Sequence, residues 1–302
     1  MKLPLKPLLL ALGAAATAYA LVLLLGGDAP WATLARALLS PAGAAAAALC
    51  VLNYLLRGQR WRRWMAHYGR VLPLRQGLRL YLAGYTFTPT PGNVGEAVRG
   101  LLLRQPLGAA DSVALFGAER VADLLALLLL TLPAVGWLLL RPGAPLWLLT
   151  FIASVLVVGL LALGLLWRLR ARLLARLPGL HGAWRCLAQQ PGHWLGLTLV
   201  AWAAQGLATW LLCGALGLAL DPALATGFYA LAMVGGALSM LPAGLGGTEA
   251  ILAGLLVLAG APLATALAVT VLVRLLTLWL AVAIGAAALF YSAAVRRDIS
   301  LR

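Results

Sequence analysis

A chain of 302 residues that is 63% hydrophobic and 10% charged, with a mean hydropathy of +0.97, falls outside the soluble globular class. It reads as an all-α polytopic membrane protein with no soluble domain of appreciable size. The net charge of +15 does not point to nucleic acid, because the Arg residues stand at the ends of apolar spans, where they act as topology signals and contacts for anionic lipid head groups.

At the N-terminus, Lys2 and Lys6 precede an apolar run, and Ala18-Tyr19-Ala20 has the shape of a signal-peptide cleavage site. The run continues through Leu25, long enough to span, so a retained first helix is predicted over about 7–26. Helix two is predicted over 38–56. A basic, aromatic stretch follows from Arg57 to Arg70, read as interfacial anchoring or as capture of head groups at the cytoplasmic leaflet. The first interrupted segment, 76–104, contains P-T-P-G-N-V-G-E from Pro89 to Glu96. Pro89 and Pro91 remove backbone donors, while Gly92 and Gly95 permit unusual dihedrals. Asn93 is placed to cap a returning half-helix and bring its positive end near the midplane, an arrangement suited to an anionic group. The alternative is a Pro-Gly turn between two short surface helices. As an α-helix, 93–104 would reach only about 18 Å, short of a hydrocarbon core of about 30 Å. Glu96 and Arg99 lie within it.

Helix three, 111–140, carries G-A-E-R-V-A-D. Glu119 and Asp123 share a face, and Arg120 can pair with Asp123. Two carboxylates and one Arg leave a negative charge, for which Arg274 is the expected partner. The alternative is an ion-pair cluster that only fixes helix register. Arg141-Pro142-Gly143 ends this helix, helix four covers 145–167, and a second basic loop holds Arg168, Arg170, Arg172, Arg176 and Arg185. Helix five is predicted over 193–217. The second interrupted segment, 222–260, contains L-P-A-G-L-G-G-T-E, with Pro242, then Gly244, Gly246 and Gly247, then Thr248 and Glu249. Its glycines allow close backbone approach to a ligand or to another helix, and Thr248 or the backbone amides before Glu249 are candidates to bind a ligand oxygen. Helix six covers 262–291. Cys50, Cys186 and Cys213 are isolated, and His67, His181 and His193 are scattered, so neither a metal site nor a cofactor is expected. With no G-x-S-x-G and no H-E-x-x-H, an enzyme is not expected either.

With the N-terminus in the cytoplasm, every Lys and Arg but four falls on the cytoplasmic side; the exceptions are Arg36, Arg120, Arg141 and Arg274. The first interrupted segment then leaves and re-enters the cytoplasmic side, and the second does the same on the outer side. One transmembrane domain over 1–302 is expected, with about six spanning helices and inverted repeats at 38–140 and 193–291. Both termini lie in the cytoplasm, at the inner (plasma) membrane. Paired Gly/Pro-broken segments in corresponding halves mark a transporter's binding site. The two breaks resemble each other further: Glu96 precedes Arg120 by 24 residues and Glu249 precedes Arg274 by 25.

P-G-N-V-G-E-A-V-R, E-R-V-A-D, P-A-G-L-G-G-T-E-A and V-R-L-L-T-L-W-L-A-V-A-I-G occur in this order along the chain. Together they resemble the membrane region of lysylphosphatidylglycerol synthetase/flippase proteins, which also occurs alone as a flippase-like family. The resemblance implies movement of a polar-headed lipid (phospholipid, hopanoid or polyprenyl-linked sugar) across the inner membrane. It does not carry over the synthetase activity of the two-part members, whose soluble transferase domain has no counterpart in these 302 residues. It implies family-equivalent positions at Pro91, Gly92, Gly95, Glu96, Arg99, Glu119, Arg120, Asp123, Pro242, Gly244, Gly246, Glu249 and Arg274. Asn93 stands where many members carry a basic residue. The expected partners are a membrane lipid substrate and anionic head groups at the cytoplasmic face. The competing expectation is a non-transporting subunit that positions a partner enzyme of lipid or cell-surface glycan synthesis.

Overall fold

The computed structural model describes residues 31–300 apart from positions 91, 104, 144, 145, 178 and 240. The first helix expected at 7–26, with Lys2 and Lys6, lies outside the described residues, as does Pro91. Among the described residues all regular structure is helical. In chain order the helices are α1 (Trp31–Leu39), α2 (Pro41–Met65), α3 (Leu74–Ala83), α4 (Ala109–Leu130), α5 (Leu132–Leu140) and α6 (Leu146–Arg176). They continue as α7 (Leu180–Ala188), α8 (Pro191–Ala215), α9 (Pro222–Leu238), α10 (Gly247–Leu258), α11 (Leu263–Arg274) and α12 (Leu280–Ser300). Three stretches are long and apolar enough to cross a membrane: Ala109–Leu140, Pro191–Ala215 and Leu263–Ser292. A fourth candidate is the pair α1–α2, bent by 65°. α9 and α10 are shorter apolar helices.

The bend between α1 and α2 is written in the sequence. Ser40 caps α2, accepting from the Gly43 amide at 3.1 Å, and Pro41 supplies a preset φ at the first helical position. α2 then runs well beyond the predicted end at 56, taking the basic stretch into the helix as far as Met65. Its buried face repeats through Ala46, Cys50, Asn53, Tyr54, Arg57, Arg60, Trp61 and Trp64, which is helical spacing. This face lies along α8, where Asn53 Nδ2 donates to the Ala201 carbonyl at 2.8 Å. The second basic loop is likewise helical: Arg168, Arg170, Arg172 and Arg176 end α6, and Arg185 lies on α7. α6 presents Val157, Leu160, Leu161, Leu165 and Trp167 outward, a contiguous apolar surface suited to lipid.

Both interrupted segments break where Pro and Gly predicted. In the first, α3 passes into a 3₁₀ turn at Gly84–Phe87, reverses, and returns as a 3₁₀ helix over Val94–Leu102. At about 2 Å per residue, nine residues reach about 18 Å, the length anticipated for a longer α-helical piece. Gly92 (φ 60°) and Asn93 (φ 56°) make the reversal in the left-handed region. Thr90 Oγ1 locks the turn, accepting from the Gly95 amide and donating to the Phe87 carbonyl, both at 2.9 Å. α12 presses against this hairpin so closely that a Cβ at Gly285 would lie 2.6 Å from the Thr86 nitrogen. In the second break, α9 gives way to a turn through Ala243 (φ 53°), Gly244 (φ 65°) and Gly246 (φ 86°), and α10 follows.

Candidate functional site

Three segments carry charged side chains into one buried cluster, and a fourth adds neutral partners. α2 contributes Arg57 and Arg60, the returning 3₁₀ helix Glu96 and Arg99, and α4 Glu119, Arg120 and Asp123. α8 adds Thr198 and Trp202. The 3₁₀ geometry explains the innermost pair, because residues i and i+3 eclipse in such a helix. Glu96 and Arg99 therefore stand in line, and Arg99 Nη2 donates to Glu96 Oε2 at 2.5 Å. Arg99 Nη1 reaches Glu119 Oε2 at 2.6 Å, so a single guanidinium joins the break to α4. Its cationic face is packed 4.0 Å from the centre of the Tyr81 ring. Glu96 also accepts from the Thr88 hydroxyl at 2.8 Å.

Asp123 is the second hub. It accepts from Arg57 at 2.7 Å, Arg60 at 2.9 Å and the Trp202 indole at 3.2 Å, and it pairs with Arg120 at 3.0 Å. Arg120 stands 3.6 Å from Glu96 and 3.9 Å from Glu119. Its side chain is 30% exposed, against 1% for Glu119, so Arg120 forms the open edge of the cluster. Four guanidinium groups thus face three carboxylates. The spare negative charge anticipated on α4 is absent, and the surplus is positive, because Arg57 and Arg60 join from α2. Arg274 is not the missing partner.

Arg274 instead closes a smaller site at the second break. Its Nε donates to Glu249 Oε1 at 2.6 Å, and its Nη2 donates to the Ala243 carbonyl at 2.7 Å. The other Glu249 oxygen accepts from the Gly246 amide at 2.8 Å, capping α10. The α-helix is then interrupted by a π turn over Leu275–Trp279, where the Tyr54 hydroxyl donates to the Leu276 carbonyl at 2.5 Å. Tyr229 packs near the first cluster, its ring 6.4 Å from that of Trp202, and donates to Gln205 Oε1 at 2.8 Å.

Glu96, Arg99, Glu119, Arg120 and Asp123 are therefore brought together. Glu249 and Arg274 form the second site, with Gly246 donating its amide. Gly92, Gly95 and Gly244 shape the turns, and Pro242 accepts from the Leu245 amide. Thr248 packs its hydroxyl against α9, where a Cβ at Gly236 would meet it at 1.9 Å. Asn93 does not cap with its side chain; it supplies a left-handed backbone, and its Oδ1 has no hydrogen-bond partner. Sequence reasoning missed Arg57 and Arg60 as members of the cluster. Their signal was the continuation of the buried helical period of α2 beyond residue 56.

Gly84 shows how tightly Arg99 is held. A Cβ there would lie 2.3 Å from Arg99 Nε, and Arg99 cannot swing away without abandoning both carboxylates. Gly84→Ala is expected to cost about 1–3 kcal/mol, the range for overpacking. A lowered thermal midpoint of the purified protein checks this, and an unchanged midpoint refutes it.

On the far side of α4 lies an apolar groove of about 780 Å³, bounded by α4, α6 and α7. Val113, Gly117 and Val121 form its α4 wall, and Arg170 is its one charged side chain. α4 thus carries charged side chains to the cluster and apolar ones along the groove.

The family described as lysylphosphatidylglycerol synthase TM region matches residues 8–285. No curated protein matches the chain, and no solved structure matches it.

Proposed function

Because this chain belongs to the lysylphosphatidylglycerol synthase TM-region family, we propose that it moves a polar-headed lipid across the inner membrane without altering it chemically. The observation that carries this reading is the net-cationic cluster of Arg57, Arg60, Glu96, Arg99, Glu119, Arg120 and Asp123 inside an apolar bundle. Ionisable groups at membrane depth are expensive and mark pathways. In this mechanism the head group enters at the Arg120 edge of the cluster while the acyl chains stay in apolar surroundings such as the groove along α4. The two breaks act as equivalent elements of an inverted repeat over 38–140 and 193–291, and Glu96–Arg120 and Glu249–Arg274 are corresponding pairs. The end bearing Arg62–Arg70 faces the cytoplasm, following the positive-inside rule. The structural motif expected for alternating exposure is a discontinuous helix near the midplane in each half.

A second reading rests on the completeness of the pairing. Every carboxylate in both sites is already matched to an Arg, as a purely structural cluster would require. That suits a subunit that positions a partner enzyme of lipid or glycan synthesis. The deciding experiment reconstitutes the purified protein in liposomes carrying a head-group-labelled phospholipid and follows quenching of the label by a membrane-impermeant reductant. Transport predicts faster exchange between leaflets than in empty liposomes, and loss of that gain in Glu119→Gln. Equal rates with and without folded protein, across phospholipid and polyprenyl-phosphate probes, would leave the subunit reading standing.

A further inference from the structure

A pocket of about 370 Å³ opens at the basic end of the bundle, between the C-terminal turns of α2 and the start of α8. Arg60, Arg62 and Arg63 line it from α2, and Gln189, Gln190 and His193 face them. No carboxylate is among its lining residues. Arg60 is 1% exposed; one guanidinium nitrogen serves Asp123 and Thr198, but Nε and Nη2 have no hydrogen-bond partner. Two buried donors on a cation, left unmatched, are costly unless an acceptor arrives. The pocket also lies against the N-terminus of the 25-residue helix α8, whose cap residue Gln190 has a left-handed backbone and makes no side-chain cap. The positive end of that helix therefore faces the same space as the guanidinium groups. Arg63 Nη1 contacts His193 Nε2 across the rim, so the two walls meet there.

We propose that this pocket is an oxyanion site of the phosphate class, at the lip of the bundle and distinct from the buried cluster beyond Arg60. A tetrahedral phosphate presents several acceptor oxygens, which match the free edge of a guanidinium, the rim Arg63 and the positive end of α8. The ligand is either the phosphodiester of a lipid head group or a soluble phosphate. The site stands whether or not the protein transports lipid.

The test uses the full-length protein in neutral detergent and measures binding of fluorescent phosphatidylglycerol, then its displacement by inorganic phosphate at constant ionic strength. Arg60 itself is not varied, because its loss would uncover Asp123. The rim variant Arg63→Gln/His193→Gln is used instead, since both residues are exposed and lie outside the cluster. Binding is expected to weaken about tenfold or more in the rim variant, with its melting midpoint preserved. The control Arg168→Gln/Arg172→Gln, which removes charge from exposed positions of α6 outside both the pocket and the groove, should bind as the unaltered protein does. Displacement by inorganic phosphate assigns the site to a soluble phosphate; binding of the lipid without such displacement assigns it to a head group. If the rim variant binds like the unaltered protein, or the α6 control loses as much, the affinity is general charge attraction and the proposal is overturned.

Discussion

Asp123→Asn is expected to be the most damaging single substitution in the protein. Among the described residues, Asp123 is the only carboxylate that Arg57 and Arg60 contact, and it also holds Arg120 and the Trp202 indole. The amide keeps the shape but removes the charge, leaving three guanidinium groups converging on a neutral acceptor. Breaking a buried ion pair by removing one partner costs about 3–5 kcal/mol, a large share of a membrane bundle's stability. The measurement is the melting midpoint in detergent together with the monodisperse fraction on size exclusion. Arg120→Ala, by contrast, should cost about 1 kcal/mol or less, because its side chain is 30% exposed and Asp123 retains Arg57 and Arg60. This reverses the ranking that the sequence of α4 alone suggests, in which Arg120 is the sole counter-charge. Equal losses in the two variants would show that the α2 arginines do not hold Asp123 in solution.

The reversal shows where legibility ended. The charged positions of the two breaks were readable, because Glu96 and Arg120, and Glu249 and Arg274, recur at nearly the same spacing beside the same Pro/Gly punctuation. Their pairing was not: Arg274, expected to serve α4, holds Glu249 at 2.6 Å, and Glu96 takes Arg99 at 2.5 Å, with Arg120 further off at 3.6 Å. The basic run after residue 56 misled, because a string of Arg after an apolar span has the same composition whether it anchors a helix at the interface or continues it into a core. Only the period through Cys50, Tyr54, Arg57 and Trp61 distinguishes the two cases. The 3₁₀ form of Val94–Leu102 was not legible, since propensities separate helix from strand far better than one helix from another. Its consequence, Glu96 eclipsing Arg99, was hidden with it. Asn93 was read through its side chain, when its contribution is tolerance of a positive φ. The predicted helix three followed directly from apolar length, and α9 begins at 222, where the second interrupted segment was expected to start; there Asp221 caps it, accepting from the Ala223 and Leu224 amides at 2.8 and 3.0 Å.

At the second break, Arg274→Ala is expected to release the turn rather than unfold the bundle. Arg274 is the clamp that joins α11 to this turn, holding the Ala243 carbonyl and Glu249 at once. Its loss leaves Glu249 with only the Gly246 amide, though the Glu249 side chain, at 17% exposure, retains some access to solvent. The cost is therefore placed near the lower end of the 3–5 kcal/mol range for a broken buried pair. Hydrogen exchange should rise sharply over 241–247 and remain slow in α2 and α8, where the packing is untouched. The informative companion is Glu249→Gln/Arg274→Gln, which removes both charges together. Neutral partners of similar shape can recover much of the stability, because no unmatched charge stays behind. If the pair exists only to fix the turn, the double variant should regain both the exchange protection and the leaflet exchange rate of the unaltered protein. If the pair lies on the lipid's path, protection should return while transport stays at the level of empty liposomes. A double variant that recovers transport fully would remove Glu249 and Arg274 from the pathway and leave the Asp123 cluster as its sole charged station.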